Sequence, residues 1–369
     1  MSAPLRVGLT VEQLWQPVPG GSGTYITRLL ESLARRLDVE PVGLAAAHRP
    51  GPVPEGVPDV PVRSLRAPRR LLYEAWNRWG APRPEWLVHG LDVVHATTWA
   101  VPPTRRPLVV TVHDLAFLRD PSHFTPHGVA FFTRALRRTL DEAAAVIVPS
   151  RATAVDVVEA GFAPDRVHVV PHGAPGWTWT PDELTTFRST HSLPDRFVLW
   201  CGTFEPRKNL GGLLQAFAIA ADADPDLHLV LVGPRGWGER PAAPRGPWTD
   251  RVHELGRLST EDLRLAYVAA RALAFPSFWE GFGLPVLEAM SVGTPVVTSR
   301  ETSMAEVAAD AGVLVDPRDA DALAAGLLRA VGPDHDALAA AALRQAAAFT
   351  WDAAADATAE VYRSVAGQA

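Results

Sequence analysis

Two acids flank a glycine-rich turn in the stretch FWEGFGLPVLEAM, residues 278–290: Glu280 stands before Gly281 and Gly283, and Glu288 after Pro285. Proline suits the first turn of a helix, where its missing N–H would have no partner in any case. Gly293 suits the end of that helix. Gly281, Phe282, Gly283 and Leu284 would then present backbone N–H groups at a helix start, a favourable place for phosphate. Glu288, one turn in, could accept hydrogen bonds from a pair of vicinal hydroxyls, and Glu280 would point into a cleft. An ordinary strand-to-helix junction is the competing reading. Two acids at this spacing are common by chance; the FGLP insert between them is not.

Three further stretches could carry chemistry. In GTFEPRKNL, 202–210, Gly202 is followed by Arg207 and Lys208, directly before a helix that Asn209 could cap. Two cations beside the positive end of a helix make a diphosphate clamp; solvated charges at a helix start are the alternative. In VTVHDLAF, 110–117, His113 and Asp114 end a nearly continuous apolar strand, where a core histidine would be unusual. His113 either faces a ligand or bonds a neighbouring loop. His95, ending LDVVHA, and His172, in VPHGA, are weaker candidates that read more readily as structural. In GGSGTY, 20–25, Gly20, Gly21 and Gly23 allow a ligand close to the backbone. This is not the spaced dinucleotide fingerprint, and a flexible turn is its other reading. Zinc spacing, a phosphate-binding P-loop and a nucleophile elbow are all missing.

These residues sit on a regular alternation. The apolar runs LRVGLTV, PVGLAAA, LDVVHAT, PLVVTVHD and AAVIVPS in the first half read as strands, as do FVLWCGTF, LHLVLVGP, ALAFPS, PVVTS and AGVLVDP in the second. Helical patterns such as TYITRLLESLARRL, with Ile26, Leu29, Leu30, Leu33 and Leu37 at helical spacing, separate them. Strands that are apolar nearly throughout belong to parallel sheets covered on both faces. The fold class is therefore α/β, with two doubly wound, Rossmann-like domains. The expected division is 1–175 and 176–350, with a closing helix in 351–369. Two stretches, 46–62 and 234–250, read as irregular loops.

With 369 residues, two domains are the natural expectation. A net charge of -6 gives no reason to expect nucleic acid as a partner. A single cysteine, Cys201, excludes a disulfide framework and suggests a reducing compartment. The N-terminus has no signal-peptide layout, and no apolar run is long enough to span a membrane. A cytoplasmic protein is expected. The segment 63–86 is basic and aromatic, with Arg66, Arg69, Arg70 and Arg78 among Leu71, Leu72, Tyr73, Trp76 and Trp79. It could rest peripherally on anionic lipid; a helix packed on its own domain is the favoured alternative.

Taken in order along nearly the whole chain, these blocks resemble the retaining, nucleotide-sugar-dependent glycosyltransferases of the GT-B fold, family 4. The carriers are GGSGTY, VVTVHD, VIVPSRATAVDVV, VHVVPHG, GTFEPRKNL, LVG, ELGRLSTEDLRLAYVAARALAFPSFWEGFGLPVLEAMSVGTPVVTS and SMAEVAADAGVLVDP. The resemblance is greatest to bacterial mannosyltransferases and enzymes of polysaccharide or glycolipid assembly. It implies two domains facing a cleft, with Arg207 and Lys208 holding the donor diphosphate. It assigns Glu288 to the ribose, Glu280 to the donor sugar's hydroxyls, and the amides of Gly281 to Leu284 to sugar and phosphates. His113 would reach the donor sugar, Gly21 and Gly23 would border acceptor and phosphates, and the closing helix, 351–365, would return to the first domain. Many relatives carry an arginine where this chain has Thr203, so any separate role of that arginine is in doubt here.

The implied partners are a nucleotide-sugar donor, GDP-mannose before UDP-sugars, and a glycan, glycolipid or small-molecule acceptor. No cofactor and no metal is expected, since the fixed cations neutralise the diphosphate and no Asp-x-Asp stands at a strand end. With no obvious nucleophile for double displacement, same-face attack assisted by the leaving phosphate is the expected route. An epimerase, a glycan phosphorylase or an inactive nucleotide-sugar-binding scaffold are the alternatives on this architecture. A phosphorylase would need a pyridoxal-bearing lysine, for which no site is visible.

Overall fold

The computed structural model describes residues 3–48, 56–57, 59–234, 236 and 246–367. The chain divides into two compact units, Met1–Gly173 with Thr350–Ala369, and Ala174–Phe349.

In the first unit the strands are β1 Leu5–Thr10, β2 Val39–Ala45, β3 Val62–Ser64, β4 Val93–Ala96, β5 Leu108–Thr111, β6 Ala145–Val148 and β7 Val167–Val169. Among the described residues they form one sheet in the order β3-β2-β1-β4-β5-β6-β7, every neighbouring pair parallel. The second unit holds β8 Phe197–Cys201, β9 His228–Val232, β10 Val252–Gly256, β11 Ala272–Phe275, β12 Val296–Ser299 and β13 Val313–Val315. Their order is β10-β9-β8-β11-β12-β13, again wholly parallel. Central strands such as FVLWC are buried at every position, because helices cover both faces of the sheet. The chain reverses direction of travel through each sheet beside its first strand. Ligands of doubly wound sheets bind at that switch point, outside the carboxyl ends of the strands.

The three strands without an apolar run, β3 (VRS), β7 (VHV) and β10 (VHELG), were not expected from the sequence. All are edge strands and mostly half-buried or exposed, so only one neighbour and little core select their residues. Leu37 is also corrected. The first helix ends at Ala34, one turn too early for Leu37, which is 84% exposed. The helix begins at Gly20, so the GGSGTY glycines form its first turn and are not a separate flexible loop. Gly23 is required there, since a Cβ would come within 2.4 Å of the Pro19 ring.

Segment 63–86 forms the helix Arg69–Trp79, which buries Leu72 and Trp76 in its own unit while Leu71, Trp79 and Trp86 stay exposed. Much of the expected loops 46–62 and 234–250 lies outside the described residues. The helix Trp351–Ala366 packs along Gly20–Ala34, tied by ion pairs of Arg35 with Asp352 and Arg36 with Asp356. Among the described residues no helix is long and apolar enough to cross a membrane.

Candidate active site

The switch point of the second sheet lies between β8 and β11, and the acids and bases singled out from the sequence converge on its carboxyl edge. Past β8, Gly202 leads through Glu205 into a single turn, Pro206–Lys208. Asn209 then takes a left-handed conformation, φ 53°. Its side chain accepts from the Gly212 N–H at 3.2 Å and donates to the Pro317 carbonyl at 2.6 Å. This cap opens the helix Leu210–Ala223 and fixes the direction in which Arg207 and Lys208 leave the backbone.

Past β11, the loop 276–283 brings Glu280 to those two cations, 72 residues away from Lys208 in sequence. Arg207 Nη1 lies 2.8 Å from Glu280 Oε2, and Lys208 Nζ lies 2.6 Å from Oε1. Arg207 also pairs with Glu205 at 2.6 Å and donates to the Trp279 carbonyl. Lys208 Nζ rests 4.7 Å above the Phe275 ring. Glu280 is buried, and burial by itself would raise its pKa. Arg207, then Lys208, reverse that effect and hold the carboxyl down at about 2. Ser303 Oγ donates to its backbone carbonyl at 2.6 Å and fixes the loop from below.

Gly283 follows in a left-handed conformation, φ 97°, where a Cβ would come 2.7 Å from Met304 Cγ. It is the N-cap of the helix Leu284–Ser291, with Pro285 in the first turn, so Gly281, Phe282, Gly283 and Leu284 build the helix start beside Glu280. Glu288, one turn in, is half-buried, and its Oε2 accepts from the Tyr267 hydroxyl at 2.8 Å. That hydroxyl also lies 3.0 Å from Cys201 Sγ, and the Tyr267 ring stacks on Trp177. Burial pushes the Cys201 thiol up to about 12, keeping it neutral. Glu205, Ser303, Tyr267 and Trp177 escaped the sequence reading. Glu205 pairs with Arg207 within their own loop, while Ser303, Tyr267 and Trp177 meet the site through tertiary contact, with no local spacing to announce them.

In the first unit His113 stands just past β5 and is half-buried. Its Nε2 lies 3.0 Å from the Thr97 carbonyl, so Nε2 donates and neutral His113 keeps Nδ1 as its acceptor. The rings of Tyr25 and His172 pack against it at 5.0 and 5.9 Å. Burial moves His113 below the usual histidine range. Asp114 is structural: its Oδ1 accepts from the Ala116 N–H at 3.0 Å. His172 is fully enclosed, stacked on Trp351.

His95 is a core residue too. Its Nε2 meets Thr111 Oγ1 at 2.7 Å and its Nδ1 meets the Tyr362 hydroxyl at 2.6 Å, while Tyr25 bonds the same Thr111 hydroxyl at 2.8 Å. Gly20 and Gly21 are exposed at the opening of their helix, and Gly23 is buried.

A family model described as "Glycosyl transferases group 1" matches residues 182–342, and one described as "Glycosyltransferase Family 4" matches 19–175. The chain is similar to the O-antigen chain mannosyltransferase B of Escherichia coli, 32% identical over 79% of this chain and 80% of that protein. It is also similar to the D-inositol 3-phosphate glycosyltransferase of Mycolicibacterium vanbaalenii, 30% identical over 92% and 84%. The crystal structure of Anabaena Alr3699/HepE in complex with UDP and glucose shares the fold, with a TM-score of 0.73, 19% identity and coverage of 98% of this chain and 100% of that one. With both units matched in sequence and architecture, the chain belongs to the group 1, family 4 glycosyltransferases of the GT-B fold.

Proposed function

We propose that this glycosyltransferase moves a hexose from a nucleotide-sugar, GDP-mannose by preference and a UDP-sugar next, to a glycan, glycolipid or small-molecule acceptor with retention of configuration. The observation that carries the reading is the Arg207–Glu280–Lys208 cluster at the β8–β11 switch point. A donor diphosphate offers the two cations better partners than one carboxylate does, and releases Glu280 to accept hydrogen bonds from the sugar. At neutral pH Glu280 is ionised, so it acts as an acceptor and not as a proton donor.

Negative charge grows on the leaving diphosphate as the anomeric bond breaks; Arg207, Lys208 and the helix start at Gly281 to Leu284 stabilise it. Glu288, oriented by Tyr267, is suited to a ribose diol. His113 is assigned to the donor sugar, and Gly20, Gly21 and Gly23 to the acceptor side. The named mannosyltransferase relative supports mannose, and the neighbour's UDP complex supports the second choice. Same-face attack fits a site whose carboxylate is held between two cations, and fixed cations take the part a metal plays elsewhere. Turnover of GDP-, UDP-, ADP- and TDP-sugars in the presence of a chelator, followed by NMR, tests these points together. GDP-mannose should be consumed fastest and its α configuration kept in the product; an inverted product, or activity lost to the chelator, refutes the mechanism.

Exposed Leu71, Trp79 and Trp86 beside Arg66, Arg70 and Arg78 support peripheral contact with anionic lipid. Flotation with phosphatidylglycerol vesicles should carry the protein up and the Leu71→Ser/Trp79→Ser variant much less. Equal flotation of both removes this contact.

A further inference from the structure

A second constellation stands on the first unit's sheet, at the carboxyl ends of β1 and β2. Its parts lie just past those strands, which are adjacent and parallel. Their ends share the sheet edge from which His113 follows β5. Glu12 opens the single turn Glu12–Trp15 after β1. Although 4% exposed, its Oε2 accepts twice, from the Ala46 N–H at 2.8 Å and from His48 Nε2 at 2.9 Å. Its other oxygen, Oε1, is buried and has no hydrogen-bond partner among the described residues. Trp15 lies flat on the His48 ring, centroids 4.7 Å apart and planes 9° apart. Gln13, between them, donates to the Pro19 carbonyl at 2.9 Å, tying this turn to the start of the Gly20–Ala34 helix.

A clasp for the β2 end would need only one acceptor, which a neutral side chain provides without desolvating a carboxylate. The arrangement keeps more than that. A carboxylate oxygen only accepts, so His48 Nε2 is the donor in its bond, which leaves Nδ1 as an acceptor whenever the ring carries a single proton. His48 Nδ1 beside a half-exposed indole suits a ring that offers O–H donors and an apolar C–H face, while the buried Glu12 carboxylate holds His48 in place. The same carboxylate repels a phosphate.

We propose that Glu12, Trp15 and His48 form an acceptor subsite for an uncharged, hydroxyl-rich ring, selecting a neutral sugar over a phosphorylated acceptor. The subsite rests on the transferase reading for its role, but its binding is measurable without any donor. Saturation-transfer NMR with methyl α-D-mannoside and with D-inositol 3-phosphate provides the test on the full chain. The neutral glycoside should bind the parent protein, and the phosphate should bind about tenfold more weakly or not at all. Glu12→Gln, which keeps an acceptor for Ala46, and His48→Ala should each weaken the glycoside by about tenfold, with GDP-mannose affinity unchanged. Trp15→Ala should do the same and Trp15→Phe restore much of the binding. In turnover the loss should fall on the acceptor KM, with kcat at saturating acceptor held.

Glycoside binding that is equal in parent, Glu12→Gln and His48→Ala overturns the subsite, as does tighter binding of the phosphorylated ring. A parent protein that turns over no nucleotide-sugar removes the transferase reading, while the donor-free titrations still decide for or against the subsite.

Discussion

Replacing Glu280 with glutamine is expected to lower turnover by about a hundred- to a thousandfold, the range found when one preorganised electrostatic group is removed from a reacting centre. Nucleotide binding should hold or tighten. Both cations pair with this carboxylate, so a diphosphate must compete with it. Glutamine keeps the shape and gives up the competing charge. Opposite movements of kcat and donor affinity separate this role from simple damage, because damage lowers both. Stability will fall as well, by roughly 3–5 kcal/mol if the buried cations find no other partner; Glu205, at 2.6 Å from Arg207, softens that loss. Turnover is therefore compared well below the melting temperature of the variant. A turnover equal to that of the parent would falsify the assignment.

The same carboxyl sets part of the acid limb. With a folded pKa of about 2 against an ordinary value of 4.5, Glu280 stabilises the fold above pH 4.5, and that contribution is lost as pH falls towards 2. The glutamine variant should lose this portion of the pH dependence.

The second large effect begins at higher pH. His95 is fully buried, and desolvation first, then the charge of His113, hold it at about 3. From pH 6.5 down to 3 the unfolded chain binds a proton there that the folded chain refuses. Stability is thus full above pH 6.5 and falls by about 1.4 kcal/mol for each pH unit below it. Urea unfolding at pH 7.5, 6.0 and 5.0 should show this decline beginning before carboxylates titrate. His95→Gln, though less stable at pH 7.5, should decline less steeply over the same interval. An identical slope in the variant would show that His95 is not the group responsible. Tyr362→Phe, which leaves His95 Nδ1 without its 2.6 Å partner, should destabilise the protein by about 1–3 kcal/mol.

The central strands were legible because burial on both faces leaves its mark on every residue, as in FVLWC and LVVT. VRS and VHELG carried no such mark, since an edge position constrains few of their side chains. The site was legible in kind. Proline and two glycines between acids announced a helix start, and Arg-Lys-Asn before a helix announced a cap with cations. What the sequence withheld was pairing. Nothing local says that Lys208 will meet Glu280 or that Tyr267 will hold Glu288, because those contacts join residues 72 and 21 positions apart, the first pair on two loops and the second on two helices. The histidines sorted as their positions suggested: His95 and His172, the two that read more readily as structural, serve the core, and His113 lies half-buried.

One feature of the chain path bears on its biosynthesis. The second unit is continuous from Ala174 to Phe349, whereas the first is completed only by Thr350–Ala369. On the ribosome, then, the whole second unit is translated before the helix that supplies Tyr362 and Trp351 exists. Throughout that interval His95 lacks the hydroxyl that will bond its Nδ1, and His172 lacks the indole that will cover it. The nascent first unit thus waits with two imidazoles unfinished, at a time when every residue of the second unit has already been made.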